Sequence, residues 1–258
     1  MNPPRLELVR QCAAAFPPLD RAFDGGPLCR GGDLRPEWLL AAYARGIFPW
    51  FNEGTPLWWA PDPRCVLPLE NFHLPRRSAR ALRGKNITLT WNAAFERVIR
   101  ACAAPRRCAG KEETGTWITE DMALAYTALH RLGYAHSLEV WREGRLIGGL
   151  YGVGLGSAFF GESMFHRESE ASRAALAGLV ALLRQRRVRL LDCQMATPHM
   201  MGMGAVLWPR DRYMRALREA VTPPWELERL WLPWAERYGH AGGLWHSRVE
   251  DGASCGSV

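Results

Sequence analysis

Past residue 86 the chain falls into short apolar runs of strand length, alternating with longer runs whose apolar residues recur every three or four positions. "NITLTW" (86–91) predicts a strand, and Asn92 is placed to cap a helix over "AAFERVIRACA" (93–103). Thr119 precedes "EDMALAYTALHRL" (120–132), a helix for which Gly133 supplies the left-handed stop. "HSLEVW" and "LIGGLYGV" read as strands joined at Glu143-Gly144, a hairpin signal. Gly154 to Gly156 makes a second tight connection into "SAFFGES". A long helix follows from Ala171 to Arg186, with Glu168 and Glu170 near its positive N-terminal end. "VRLLDCQ" is a short apolar strand that stops at polar residues, and "DRYMRALREAV" is a last helix. Meander strands, a helix and a returning strand make an α+β pattern with a central mixed sheet.

The first 70 residues differ. They are rich in Pro, Gly and Trp, with one readable helix from Pro36 to Arg45, stopped by Gly46. The expected division is a small N-terminal domain over 1–75, a larger one over 76–222, and an appendage over 223–258 that is disordered in part.

Composition narrows the partners. No apolar run approaches the roughly 18 to 20 residues of a membrane span, and no secretory leader pattern opens the chain. Seven cysteines match no zinc template, which leaves no metal expected and suits a reducing, cytoplasmic compartment. Net charge is +7, carried almost wholly by arginine, since Lys85 and Lys111 are the only lysines. A GC-rich genome produces that bias without function. Three clusters, at 76–85, 106–111 and 184–189, still point towards a polyanion such as nucleic acid.

Two polar clusters end apolar strands. Glu162 stands in "FGESMF", where an unpaired buried carboxylate is costly unless it meets a cation or a proton. Asp192 and Gln194 in "LLDCQ" lie two apart on a strand, so both face one side and Cys193 the other. Such strand ends form binding clefts, although they also satisfy nearby loop backbone. No Gly-x-Ser-x-Gly elbow, phosphate loop or dinucleotide fingerprint is present; the glycines of "GGLYGVGLG" fit a hairpin better. His199 is a lone histidine that serves as a base or as a structural group.

"IGGLYGVGLGSAFFGESMF" followed by "LLDCQ", "TPH" and "GMGA" resembles the leucyl/phenylalanyl-tRNA–protein transferase family. "FPPLDRAF", "GGDLRPEWLLAAYARGIFPWF", "WWAPDPRCVL" and "GTWIT" agree with it independently and in order, so the resemblance covers about residues 16–220. It implies transfer of leucine, or phenylalanine, from charged tRNA to the α-amine of proteins beginning with Arg or Lys, which marks them for N-degron degradation. It further implies an enzyme of the bacterial cytosol with a Gcn5-related acetyltransferase-like domain and no cofactor; the expected assembly is a monomer. By the same resemblance Asp192, Gln194 and Glu162 are catalytic, with Gln194 positioning the amine or the oxyanion and Glu162 meeting the acceptor's cation. Leu150, Phe159, Leu176 and Leu179 would line the leucine hole, and Trp50, Trp117, Tyr126 and Thr197 would surround the substrate. Arg76, Arg77, Arg80, Arg83 and Lys85 would grip the tRNA acceptor stem. Leu150 and Leu179 stand where a member of the family carries Met and Phe, and Thr197 where some carry Asn. Two other readings compete. An acyl-coenzyme A acetyltransferase needs a pyrophosphate-binding turn that is not visible, and a non-catalytic RNA-binding module leaves Glu162, Asp192 and Gln194 without a role.

Overall fold

The computed structural model describes residues 4–22, 26–83, 85–104, 106–108, 111–113 and 117–221. The appendage expected over 223–258 lies outside the described residues. In chain order the elements begin with α1 (Leu6–Ala15), β1 (Cys29–Arg30), α2 (Pro36–Ala44), β2 (Phe48–Pro49), β3 (Leu57–Trp59), β4 (Arg64–Val66) and α3 (Arg76–Leu82). Then come β5 (Thr88–Trp91), α4 (Phe95–Ala103), β6 (Arg106–Cys108), β7 (Lys111–Glu113), α5 (Glu120–Arg131), β8 (Ala135–Arg142), β9 (Arg145–Leu155) and β10 (Ala158–His166). The chain continues through α6 (Ala171–Gln185), β11 (Leu190–Gln194), α7 (Pro198–Met201), β12 (Val206–Trp208) and α8 (Arg210–Ala220).

Seven strands form the central sheet in the order β12-β4-β11-β10-β9-β8-β5. The β10–β11 pair is parallel and every other pair antiparallel, so the sheet is mixed, as expected. It reaches further back along the chain than a boundary at residue 76 implies, because Arg64–Val66 is one of its inner strands. A separate three-stranded sheet, β1-β3-β2, closes on the aromatic cluster of Phe16, Trp38 and Trp58.

Alternation along β9 sends Tyr151, Val153 and Leu155 into one hydrophobic core and Leu150 into another. The first core takes its helix residues from α1, α2, α4, α5 and α8, and the second mainly from α6, whose Leu176, Leu179 and Leu183 are buried, with Leu82 of α3 and Met200 of α7. Burying each such side chain is worth about 1.5–3 kcal/mol. Gly46, at φ 73°, ends α2 as expected; a Cβ there would lie 2.8 Å from the Tyr213 ring, so glycine lets α8 close on α2.

Several local expectations hold. Thr119 Oγ1 accepts from the Met122 N–H (3.3 Å), and Glu143-Gly144 turns with φ 51° and 73°. Two do not. Asn92 is no helix cap: its Oδ1 accepts from Ser137 N–H, and the helix begins later, at Phe95. Buried Glu139 accepts from the Ala93 and Ala94 N–H groups instead, a partner only the folded sheet brings there. Of the glycines of "GGLYGVGLG", only Gly156 (φ 58°) makes a hairpin turn, the tight connection from β9 into β10 across which Leu155 pairs with Ala158. The other four lie within β9, where a Cβ on Gly148 would meet Ala171 Cβ at 2.6 Å and one on Gly152 would meet Phe160 O at 2.2 Å. Close packing against α6 and β10, rather than a turn, accounts for Gly148 and Gly152.

Candidate active site at the splay of the central sheet

The parallel pairing of β10 with β11 covers only Ala158–Phe160 against Leu190–Asp192. Beyond that point β10 continues to His166 while β11 stops at Gln194, and both strands bulge. On β10, Gly161 pairs with Gly152 and Ser163 with Tyr151, which leaves Glu162 as the extra residue. The bulge resets the alternation: Phe160 and Phe165, five residues apart, both reach the first core. On β11, Asp192 pairs with Val66 and Gln194 with Cys65, so a second extra residue, Cys193, falls between them. Gln194 adopts φ 61°, a left-handed conformation that costs a non-glycine residue of order 1 kcal/mol and recurs at functional sites.

Local hydrogen bonds hold that strained turn. Asp192 Oδ1 accepts from the Gln194 backbone N–H (2.8 Å), and Asp192 is itself fully buried. Arg64, 1% exposed, grips its carboxylate through Nε (2.9 and 3.2 Å) and NH2 (2.8 Å), while Tyr213 Oη donates at 2.8 Å. The guanidinium lies over the rings of Phe48 and Tyr213, 4.8 Å from each. Burial disfavours its charge, but Asp192 more than compensates, so Arg64 remains a cation.

Glu162 accepts from Tyr43 Oη (2.7 Å) and Gln194 Nε2 (2.7 Å) on Oε1, and from Tyr126 Oη (2.9 Å) on Oε2. The two tyrosine hydroxyls also touch each other at 2.5 Å. Burial raises the Glu162 carboxyl to about 7, even though the three donors favour its anion. Burial and the Glu162 charge keep the Tyr43 and Tyr126 phenols protonated, and therefore donors. Since Gln194 commits its amide N–H to Glu162, its carbonyl oxygen is left as an acceptor.

A cavity of about 770 Å³ opens at this splay and draws its walls from both cores. Of the residues expected at the site, Glu162, Trp117, Leu150, Leu176, Leu179 and Thr197 border it. Thr197 Oγ1 also caps the short α7 by accepting from Met200 N–H (3.2 Å). Phe159 and Tyr126 stand behind its walls, both fully buried, the first against Trp91 and the second holding Glu162. Trp50 is half-buried in the small N-terminal sheet region, edge-on to Trp59 at 5.0 Å. His199 borders the cavity with a buried Nε2 that has no partner, and burial keeps its imidazole below the usual range. Arg76, Arg77, Arg80 and Arg83 are exposed on or just past α3; Lys85 is half-buried, with Nζ 3.4 Å from Ser169 O. Among the described residues no group of His, Cys, Asp and Glu is arranged to hold a metal, and no helix is long and apolar enough to cross a membrane.

Comparison with known proteins decides what this site belongs to. The family model "Leucyl/phenylalanyl-tRNA protein transferase" matches residues 66–218, and the model of that family's N-terminal domain matches residues 32–62. The chain belongs to the leucyl/phenylalanyl-tRNA–protein transferase family. It is 48% identical to the leucyl/phenylalanyl-tRNA–protein transferase of Nitratidesulfovibrio vulgaris (strain DP4) over 236 residues, 89% of this chain and 100% of that one. With the Azoarcus sp. (strain BH72) enzyme it shares 55% over 194 residues, 74% of this chain and 81% of the other. A solved structure titled as L-PGS from Bacillus licheniformis aligns at 11% identity and a TM-score of 0.38, covering 71% of this chain and 62% of that one. The chain is thus an aminoacyltransferase with aminoacyl-tRNA and protein as its substrates.

Three residues of the site escaped the sequence reading: Tyr43, Arg64 and Tyr213. Arg64 left a signal, a lone cation in the apolar stretch "PDPRCVLPL". Tyr43 and Tyr213 sit in ordinary helical patterns, and nothing local separates them from core tyrosines.

Proposed function

We propose that the protein moves leucine, and phenylalanine less readily, from the 3′ end of a charged tRNA to the α-amine of proteins that begin with Arg or Lys. The product is then a substrate for N-degron degradation in the cytoplasm, and the enzyme acts as a monomer. The observation that carries the reading is Gln194 beside the cavity-lining Glu162, its backbone N–H held by Asp192 and its side-chain amide by Glu162.

The donor's side chain occupies the apolar part of the cavity, against Leu150, Leu176 and Leu179. Exposed arginines of α3 contact the acceptor stem through phosphates, which gives affinity without reading sequence. Trp117, at the cavity, and Trp50 offer aromatic faces to the terminal adenosine.

In the reaction the acceptor's amine attacks the ester carbonyl. A C–N bond forms, the bond from the carbonyl carbon to the tRNA 3′ oxygen breaks, and the proton lost by the amine is balanced by the one that oxygen gains. The energy is already stored in the ester, so no cofactor is needed. The Gln194 carbonyl oxygen accepts a hydrogen bond from the amine and points its lone pair at the carbonyl. An amide is too weak a base to take the proton, so Gln194 positions rather than abstracts. Arg64, Tyr213 and Asp192 hold the strained turn on which this aim depends. Glu162 meets the positive side chain of the acceptor's first residue, which favours its anion and gives Arg and Lys their preference.

The test is transfer of labelled leucine from Leu-tRNA to a peptide beginning with arginine, beside the same peptide N-acetylated. Label on the free amine alone is the expected result. Label on both, or on neither while Leu-tRNA still binds, overturns the proposed acceptor.

A further inference from the structure

Tyr151 lies mid-strand on β9, directly opposite Ser163 and beside the Glu162 bulge, with its side chain in the first core and at the cavity wall. The residue is completely buried. Its ring is held edge-on by Phe95 (6.0 Å, 77°) and Tyr126 (5.5 Å, 73°), yet its hydroxyl has no hydrogen-bond partner. Phenylalanine would supply the same ring contacts without stranding a polar group, so folding alone favours Phe at this position. A tyrosine kept against that preference is accounted for by something that enters the cavity.

The neighbouring carboxylate indicates what enters. A carboxylate offers about four lone-pair directions. Tyr43, Gln194 and Tyr126 take three of those on Glu162, which leaves about one open. Tyr151 adds a hydroxyl oxygen with open lone pairs, kept protonated by burial and by the charge of Glu162. Nearby, Ala101 and Ala104 at the end of α4 border the cavity with short side chains that leave room. A negative carboxylate and a neutral oxygen, both acceptors, suit a cation that carries several N–H groups.

We infer that the Tyr151 hydroxyl is a second hydrogen-bond acceptor, beside Glu162, for the cationic side chain of the acceptor's N-terminal residue. This rests on the reading that such acceptors are the substrate. A guanidinium or an ammonium has donors enough for both oxygens at once, whereas a neutral side chain of similar length leaves both stranded in a water-poor wall. Tyr151 is thus a specificity residue and takes no part in the bond-making step.

Tyr151→Phe tests this, with transfer of labelled leucine to a peptide beginning with arginine, KM measured separately for peptide and for Leu-tRNA, and a thermal melt. The expected result is a peptide KM raised about tenfold, as for loss of one hydrogen bond to a charged group. The turnover number and the KM for Leu-tRNA should stay within about twofold, the scatter of a change that touches neither, and the melting temperature should hold or rise. An unchanged peptide KM overturns the inference. So does a lower turnover or melting temperature at constant peptide KM, which would make the hydroxyl structural. If the wild-type enzyme labels no Arg- or Lys-initiated peptide, the acceptor reading fails and this inference with it; labelling by wild type with no change in the variant removes this inference alone.

Discussion

Replacing Arg64 with methionine separates two jobs of the buried ion pair. The pair is almost fully enclosed, with Arg64 1% and Asp192 0% exposed. Three N–O contacts of 2.8 to 3.2 Å join the two side chains. Arg64→Met removes the cation and leaves the Asp192 carboxylate with two neutral donors, Tyr213 Oη and the Gln194 N–H. Stranding one partner of a buried pair costs about 3–5 kcal/mol. At about 2–4 °C per kcal/mol for a chain of this size, the melting temperature should fall by roughly 6–20 °C. The double variant Arg64→Met, Asp192→Leu replaces the pair with apolar groups of similar volume and should recover part of that loss, the remainder being the cost of the stranded Tyr213 hydroxyl and Gln194 N–H. Leucyl transfer should not recover with it, because the acceptor for the Gln194 N–H is gone and the left-handed turn at Gln194 loses its support. Urea unfolding and labelled-leucine transfer on the same three proteins provide the assay. A single variant that loses less than about 1 kcal/mol would refute the energetic argument. An active double variant would refute the claim that Asp192 positions Gln194.

Glu162 titrates near 7 in the folded protein against an ordinary value of 4.5, so the folded state binds the extra proton in that window and stability falls as pH rises through it. The wild type should therefore lose up to about 3 kcal/mol between pH 4.5 and pH 7 relative to Glu162→Gln, read from urea midpoints across that range. Equal slopes in the two proteins would place the raised carboxyl elsewhere. Reversing Arg76, Arg77, Arg80 and Arg83 to Glu should lower the slope of log binding constant against log salt for Leu-tRNA by about 3 to 4, at close to 0.9 for each phosphate no longer neutralised; an unchanged slope moves the RNA site off α3. Leu179→Ala enlarges the apolar part of the cavity and should shift the kcat/KM ratio of Phe-tRNA to Leu-tRNA upward by about tenfold, a discrimination typical of pocket volume. No shift in that ratio would show that the donor side chain sits elsewhere.

The elements past residue 86 are legible because their signals are local. Thr119, Gly133, Glu143 and Gly144 act within a few residues of themselves, and each is used in the fold as its chemistry suggests. Asn92 misleads because Glu139, distant in sequence but paired across strands, competes for the same N–H groups and wins. The glycines of β9 mislead for a similar reason: what excludes a Cβ there is the backbone of β10 and the Ala171 end of α6, neither adjacent in the chain.

Sequence by itself therefore determined the strand and helix periods, the family, and the three polar side chains Glu162, Asp192 and Gln194 on the two strands of the site. Tertiary structure decided their surroundings. A carboxylate's proton affinity depends on how much water surrounds it and on which donors reach it, and for Glu162 those donors come from α2, α5 and β11. Arg64 arrives at Asp192 from 128 residues away. Two bulges at the splay of the sheet, which no periodicity announces, turn Glu162 towards Gln194 and open the cavity between the cores. Electrostatic environment is a property of neighbours in space, and those neighbours exist only once the chain has folded.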